Sequence, residues 1–379
     1  MDRYVIKDKK KLRLGYTTGS CAAAASKEAV RMLLGGRKSD YTDIMTPKGM
    51  QLHLEIFYAE ITDSYAECAV KKDSGDDPDV TDGIFIYARA SRNDLGIIRI
   101  DGGEGIGRVT KPGLDRSVGE AAINSVPRMM ITQEAEKVLR ESGCSTGIDI
   151  LIYAPQGAEA AEKTFNPRLG IIGGISIIGT SGIVEPMSEA ALIESIKLEM
   201  RVKRAAGRKY LIISPGNYGT MYLKMNMNID PEDSVKCSNF IGETIDYASE
   251  LGFEGILLVG HFGKFVKLAG GIMNTHSSWA DCRMQIITAE AALAGAELPA
   301  LREIMDAATT DEALSVLERS GLTSRVTGQL LNRIEYHIKM RASAQMLTGA
   351  VIFTNKYGFL GKTENTEVLI DKITAELKK

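Results

Sequence analysis

The second half of the chain repeats one device, a short apolar run suited to a buried strand followed at once by a polar loop containing glycine. The runs are Ile148 to Tyr153, Gly174 to Ile178, Tyr210 to Ile213, Gly255 to Val259 and Ala350 to Phe353. Helical segments separate several of them, notably Ser188 to Ala206 and Ser234 to Leu251. Strands alternating with helices predict a parallel, doubly wound sheet. Parallel strands share a direction, so all five loops are expected on one edge, where open α/β sheets bind ligands. The stretch Leu257 to Ser277 is the richest of these, holding Lys264 and two histidines, His261 and His276. The turns Gly179-Thr180-Ser181-Gly182 and Gly216-Asn217-Tyr218-Gly219 would let backbone approach a nucleotide-like ligand, although each alone also fits a simple turn. From Ser278 to Thr348 the chain reads as mostly helical, and its amphipathic stretch around Leu330 to Met346 reads as packing surface.

The first half has a different rhythm. After Thr17, Thr18 and Ser20, all helix-capping types, an Ala-rich helix with an apolar face through Ala25, Ala29, Val30 and Leu33 is expected to stop at Gly35-Gly36. Its hydroxyls and free N–H groups at a positive helix end suit a carboxylate or phosphate, and equally a purely structural cap. Cys21 falls in the first turn, where a thiolate is favoured, which raises a nucleophilic cysteine against the commoner small buried one. Alternation from Tyr41 to Val70 predicts half-buried strands, with His53 on a surface. Lys71 to Asp82 is dense in Asp but lacks the spacing of a calcium loop; it reads as a solvated turn or as a hydrogen-bonding, proton-accepting loop. The run Asp101-Gly-Gly103-Glu-Gly105-Ile-Gly107 follows a strand as a cofactor-binding turn does, but Pro112 and Gly113 argue against a following helix, so a glycine-rich hairpin fits as well. Glu120, Asn124 and Arg128 converge in a loop, and a helix from Thr132 to Ser142 closes a first domain of residues 1–145. Residues 146–379 form the second, with the helical insertion around 278–348.

Composition narrows the function. A net charge of −3 offers no global field for nucleic acid or an anionic membrane, and one Trp with nine Phe supplies no stacking platform for single strands. An anionic substrate must be met by local Lys and Arg or by backbone amides. No run of about twenty apolar residues and no apolar leader occurs, which predicts a cytoplasmic protein. Five scattered cysteines without a CxxC pair predict neither disulfides nor a structural zinc site.

Seven motifs, taken in order, resemble the cobalt-precorrin-5B C(1)-methyltransferase family of anaerobic cobalamin synthesis over nearly the whole chain. They are Gly15-Tyr-Thr-Thr-Gly-Ser-Cys-Ala-Ala-Ala-Ala25, Lys72-Asp-Ser-Gly-Asp-Asp-Pro-Asp79, Gly102-Gly-Glu-Gly-Ile-Gly107, Ala122-Ile-Asn-Ser-Val-Pro-Arg128, Gly173 to Val184, Pro215-Gly-Asn-Tyr-Gly219, and Gly260-His-Phe-Gly-Lys264 with Asn274-Thr-His-Ser277. The chain departs from the family at Ser125, where Pro is usual. The resemblance implies a smaller two-layer α+β domain followed by a Rossmann-like α/β/α domain with a mostly parallel sheet. It also implies methylation of ring carbon 1 of a cobalt-bearing corrinoid by S-adenosylmethionine, with cobalt belonging to the substrate and no metal site in the protein. On that reading Gly179, Thr180, Gly182, Gly216 and Asn217 hold the cofactor, with Gly103 and Gly105 as a rival placement. Thr17, Thr18, Ser20, Arg128, Lys264 and His276 meet the carboxylates of the macrocycle, and His261 or Asp77 is the candidate base. A non-catalytic tetrapyrrole carrier using the same cleft is the alternative, and a hydrolase working through Cys21 a further one. The sequence leaves the oligomeric state open, a homodimer included.

Overall fold

Thr17 starts the long helix of the first half as its hydroxyl predicts: its Oγ accepts from the Ser20 amide at 3.2 Å in the computed structural model, which describes residues 3–7 and 9–378. That helix, α1 (Thr18–Gly35), ends at Gly36, whose left-handed φ of 64° suits glycine. It is buried nearly all round rather than along one stripe, with Cys21 to Ala25 wholly inaccessible. Even Lys27 and Glu28 are buried; Lys27 pairs with Glu134 at 2.8 Å, and Glu28 with Arg31 at 2.8 Å.

The chain divides at Glu189/Ala190 into two units. In the first, β1 (Tyr58–Ile61), β2 (Tyr65–Lys71), β3 (Phe85–Asn93), β4 (Ile98–Gly102) and β5 (Gly147–Tyr153) form a sheet in the order β1-β2-β3-β5-β4. All neighbours are antiparallel except β4 and β5. Helices α1 and α2 (Ser125–Ser142) share one core with one face of this sheet. Its residues there are unusually small: Ala66, Cys68, Ala88 and Ala90 lie in the same cluster as Ala22 to Ala25 and Ala29. Helix and strands therefore approach closely, and the Cys68 thiol reaches the Ala25 carbonyl at 3.1 Å. The opposite face is half-buried and aromatic, with Tyr87 stacked on Tyr153 at 4.8 Å.

Two of the five expected parallel strands thus belong elsewhere. Ile148 to Tyr153 lies within β5, whose edges complete the hydrogen bonds of β3 and β4, so the boundary expected at residue 145 falls at 189 instead. Gly174 to Ile178 forms only the single bridges Ile106–Ile175 and Ile123–Ile177, both in the first unit. The run Asp101 to Gly107 leads into Arg108–Val109, which pairs antiparallel with Ile171–Ile172, and no helix follows. A Cβ at Gly105, where φ is 70°, would overlap the Ala154 carbonyl, and one at Gly103 would lie 3.2 Å from the Tyr153 Cβ. These glycines make room for the protein's own chain.

In the second unit β6 (Tyr210–Ser214), β7 (Ser234–Lys236), β8 (Gly255–His261), β9 (Leu347–Thr354) and β10 (Gly358–Lys362) run in the order β7-β6-β8-β9-β10. The first four are parallel, and β10 is antiparallel to β9. Both faces are buried, as continuous apolar strands require. Leu211, Ile213, Ile256, Leu258, Ala350 and Ile352 point into a core with α3 (Glu189–Ala205), α5 (Ile241–Glu250), α6 (Phe262–Ala269), α7 (Arg283–Leu293), α8 (Leu298–Asp306), α9 (Thr310–Arg319) and α10 (Thr323–Arg341). Ile212, Leu257, Val259, Val351 and Phe353 point the other way, against Leu223 of α4 (Asn217–Asn226) and Leu369 and Ile373 of α11 (Thr366–Leu377). The amphipathic stripe of α10 buries Val326, Leu330, Leu331, Ile334 and Ile338. Among the described residues no helix is long and apolar enough to cross a membrane.

Replacing Gly105 by Ala forces both a strained φ and a backbone overlap, so the variant is expected to lose more than about 2 kcal/mol of stability. Chemical unfolding followed by circular dichroism checks this, and a variant as stable as the parent would refute the packing role.

Candidate active site

Strand order reverses between β6 and β8. From β6 the chain moves outward to β7, and from β8 it moves the other way to β9, so the carboxyl ends of β6 and β8 flank a crevice of the kind in which open parallel sheets bind ligands. Ser214-Pro215-Gly216 forms one lip and Gly260-His261 the other. Two glycines here serve packing. A Cβ at Gly219 would overlap the Ser214 hydroxyl, and one at Gly260 the Phe265 ring, so each seats the first turn of a helix against a strand end. Gly216 differs: no atom lies within 4 Å of where its Cβ would be. It caps α4 without a side-chain bond, leaving the first amides of that ten-residue helix uncapped by any side chain.

Lys264 spans the crevice. Its Nζ donates to the Pro215 carbonyl at 3.3 Å and to Asn239 Oδ1 at 2.9 Å, linking the loops after β6 and β7. Burial pulls its pKa down, and none of these partners carries charge. The Thr275 hydroxyl donates to the same Asn239 oxygen at 3.2 Å, and the Thr275 amide donates to the Asn239 carbonyl at 3.0 Å, which brings the Asn274 to Ser277 motif alongside. Lys267, almost wholly buried, fastens that segment by donating to the carbonyls of Thr275 at 3.1 Å and Ala280 at 2.7 Å. His276 is exposed there, its Nδ1 2.6 Å from the Ser278 hydroxyl.

His261 caps α6, its Nδ1 accepting from the Gly263 amide at 3.2 Å. The neutral ring therefore keeps its proton on Nε2 and is set to donate from that nitrogen. Tyr218 and Phe353 flank it, with ring centroids 5.7 and 5.9 Å away. Burial lowers its pKa below the ordinary histidine value, and the Asp311 charge opposes that shift. Asp311 Oδ1 is itself buried and without a hydrogen-bond partner.

The candidates in the first unit have other occupations. The Ser20 hydroxyl donates to the Gly182 carbonyl at 2.7 Å, the Thr17 amide donates to the same oxygen at 3.2 Å, and the Thr18 hydroxyl accepts from the Ile178 amide at 2.9 Å. A Cβ at Gly179 would overlap Thr17, and one at Gly182 would crowd Thr46. The hydroxyls expected to meet substrate and the glycines expected to hold cofactor thus satisfy one another, and Thr180 lies in that same turn. Arg128 donates to the carbonyls of Ile123 at 2.9 Å and Ile100 at 2.8 Å. Asp77 accepts from the Met187 amide at 2.9 Å, Asp73 holds Arg13 through two bonds at 2.5 and 2.7 Å, and Asp79 holds Lys72 at 2.7 Å. The acidic loop is satisfied partly by its own residues and partly by Arg13 and Met187 of the same unit. Ser125, where the resembled family has Pro, begins α2 and hydrogen-bonds Asp115 through both its amide and its hydroxyl, at 2.8 Å for the latter. The first helical position is one that Pro favours as well. Burial pushes the Cys21 thiol up to about 12, which removes the nucleophile its helix position suggested. His53, exposed and 2.9 Å from Asp43, lies on a surface strand.

Asn239, Lys236 and Asp311 escaped the sequence reading. Asn239 follows Ser238, a non-glycine residue at a φ of 53°, and no spacing pattern marks either. Lys236, whose Nζ donates to Asn217 Oδ1 at 2.8 Å, ends a three-residue strand too short for periodicity to show.

The family profile CbiD matches residues 5–186, and the profile for the CbiD C-terminal domain matches residues 274–364. A protein of Ruminiclostridium cellulolyticum named cobalt-precorrin-5B C(1)-methyltransferase is 49% identical over 94% of this chain and 92% of its own length. Proteins of the same name from Thermoanaerobacter sp. and Citrobacter koseri are 44% and 43% identical, each over 96% of this chain and over 98% and 96% of their own lengths. A solved structure of cobalamin biosynthesis protein CbiD from Archaeoglobus fulgidus is 27% identical, covers 73% of this chain and 86% of its own, and superposes with a TM-score of 0.39. Likeness of this extent makes the chain a C-methyltransferase. It belongs to the CbiD family.

Because the Asp311 charge raises the His261 pKa, Asp311→Asn is expected to lower it further, read as the midpoint of the imidazole resonance in an NMR titration; a rise would contradict the arrangement. A thiol reagent at mildly alkaline pH is expected to label the exposed Cys282 promptly and the buried Cys21, Cys68 and Cys237 only after denaturation.

Proposed function

We propose that this enzyme transfers a methyl group from S-adenosylmethionine to ring carbon 1 of cobalt-precorrin-5B, giving cobalt-precorrin-6A in anaerobic cobalamin synthesis. On this reading the second unit is a Rossmann-like α/β/α domain whose switch-point crevice holds the methyl donor. The observation that carries the placement is Gly216, whose flank is open while Gly103, Gly105, Gly179 and Gly182 are filled by the protein's own atoms.

The crevice suits the donor chemically. Uncapped amides at the start of α4 meet a carboxylate, and Asn217 and Asn239 offer polar groups to ribose hydroxyls. When bound, S-adenosylmethionine supplies an electrophilic methyl group for an in-line displacement, which asks the protein for positioning more than for a strong acid or base. Lys264, just past the Gly260-His261 lip, braces the loops after β6 and β7 through Pro215 and Asn239 and adds positive charge toward a polycarboxylate substrate. His261, with Nδ1 engaged by Gly263, acts as a hydrogen-bond donor from Nε2 rather than as the base. The cobalt ion belongs to the macrocycle.

Purified protein incubated with cobalt-precorrin-5B and labelled S-adenosylmethionine is expected to yield a product bearing the label at carbon 1. Specific binding of both compounds without transfer would favour a non-catalytic carrier. Gly216 has an extended backbone that any residue adopts, so Gly216→Val is expected to leave the thermal midpoint in place. Affinity for S-adenosylmethionine, read by calorimetry, is expected to fall by roughly tenfold or more. Unchanged affinity would move the donor site elsewhere.

A further inference from the structure

Helix α4 leaves one row of large side chains in solvent. Tyr218, Met221 and Met225, at i, i+3 and i+7, are 58%, 56% and 77% exposed, while Gly219 and Leu223 bury the other side. A contiguous apolar row of this kind on a soluble protein marks a binding surface. It is continuous with the crevice, since Tyr218 lies against His261 and α4 begins at Asn217. It is also rigid, because Tyr222 on the next flank stacks on Phe353 with ring centroids 4.1 Å apart. Two cations border it. Lys224 is exposed on α4 itself, and Lys236 donates to Asn217; among the described residues neither forms an ion pair with a carboxylate.

A flat apolar body with negative charges at its rim is the shape that such a row and such cations complement. Resting on the function proposed above, we propose that the Tyr218, Met221 and Met225 face is the bed on which the corrinoid macrocycle lies. Lys224 and Lys236 engage two of its peripheral carboxylates. The thioethers follow the ring surface because methionine is unbranched and polarizable, and Tyr218 leads the bed to the crevice where the methyl group is delivered. The bed is thus a specificity determinant for a polycarboxylate tetrapyrrole, with Met221 and Met225 away from the donor groups and Tyr218 and the Lys236–Asn217 bond joining the two.

The test compares the full-length protein with a Met221→Ser/Met225→Ser variant and with Lys224→Gln. Cobalt uroporphyrin, an octacarboxylate macrocycle, serves as the binding probe in an absorbance titration, alongside the KM for cobalt-precorrin-5B. The double variant is expected to bind the probe and to saturate with substrate about tenfold more weakly. Its S-adenosylmethionine affinity should stay within about twofold of the parent, since an exposed methionine contributes nothing to the donor site, and its thermal midpoint should not fall. Lys224→Gln is expected to flatten the salt dependence of probe binding. Probe binding and KM unchanged in the double variant would overturn the proposal while leaving the methyltransferase reading standing. A change in sedimentation from dimer to monomer would overturn it too, by making the row a contact between copies. Absence of methyl transfer by the parent protein, with probe binding still lost in the double variant, would instead sink the catalytic reading and keep the bed.

Discussion

How close a helix can come to a sheet governs the first unit. Alanines at 22 to 25 and 29 meet alanines at 66, 88 and 90, so α1 lies against the strands with almost no side-chain depth between them. A helix held so deeply cannot leave its N-terminal polar groups to water, and the segment from Ser176 to Gly182 crosses that end, accepting from the Thr17 and Gly19 amides and from the Thr18 and Ser20 hydroxyls, while the Thr17 hydroxyl takes the Ser20 amide. Gly179 and Gly182 follow from this, because the crossing leaves no room for a Cβ beside Thr17 or Thr46. Polar groups that look like a ligand cradle are consumed by folding.

The second unit reaches the opposite result with similar materials. Its sheet is covered on both faces, so only the carboxyl edge is left for chemistry, and the reversal of strand order opens that edge between Ser214 and Gly260. Gly219 and Gly260 draw helices tightly onto the strand ends, and of these three edge glycines Gly216 is the one whose flank stays clear. Lys264 then ties the lips with bonds to neutral oxygens, retaining a charge that no neighbouring carboxylate cancels.

Local signals were legible where one residue decides a local outcome. Thr17 as cap, Gly36 as helix end, and the continuous apolar runs of β6, β8 and β9 all follow from propensity and burial. Partnering was not legible. The run Ile148 to Tyr153 says "strand" without saying whose hydrogen bonds it completes, and β5 joined the earlier sheet. Glycines were ambiguous for the same reason, since Gly105 and Gly216 look alike in sequence and differ only in what stands beside them. His261 and Lys264 were visible because a strand ended there. Asn239 was invisible because its importance comes from Lys264 and Thr275 reaching it from far along the chain.

Lys267 has a consequence for how this edge meets its ligands. With its ammonium group holding the Thr275 and Ala280 carbonyls from inside, the Asn274 to Ser278 segment is a surface loop pinned from below, Thr275 buried while His276, Ser277 and Ser278 stay exposed. Its conformational entropy is surrendered when the chain folds, not when a ligand arrives. Encounter at this corner is therefore a docking onto a finished surface, in which selectivity comes from fit and charge at first contact and association carries little of the slow rearrangement that a mobile flap would impose.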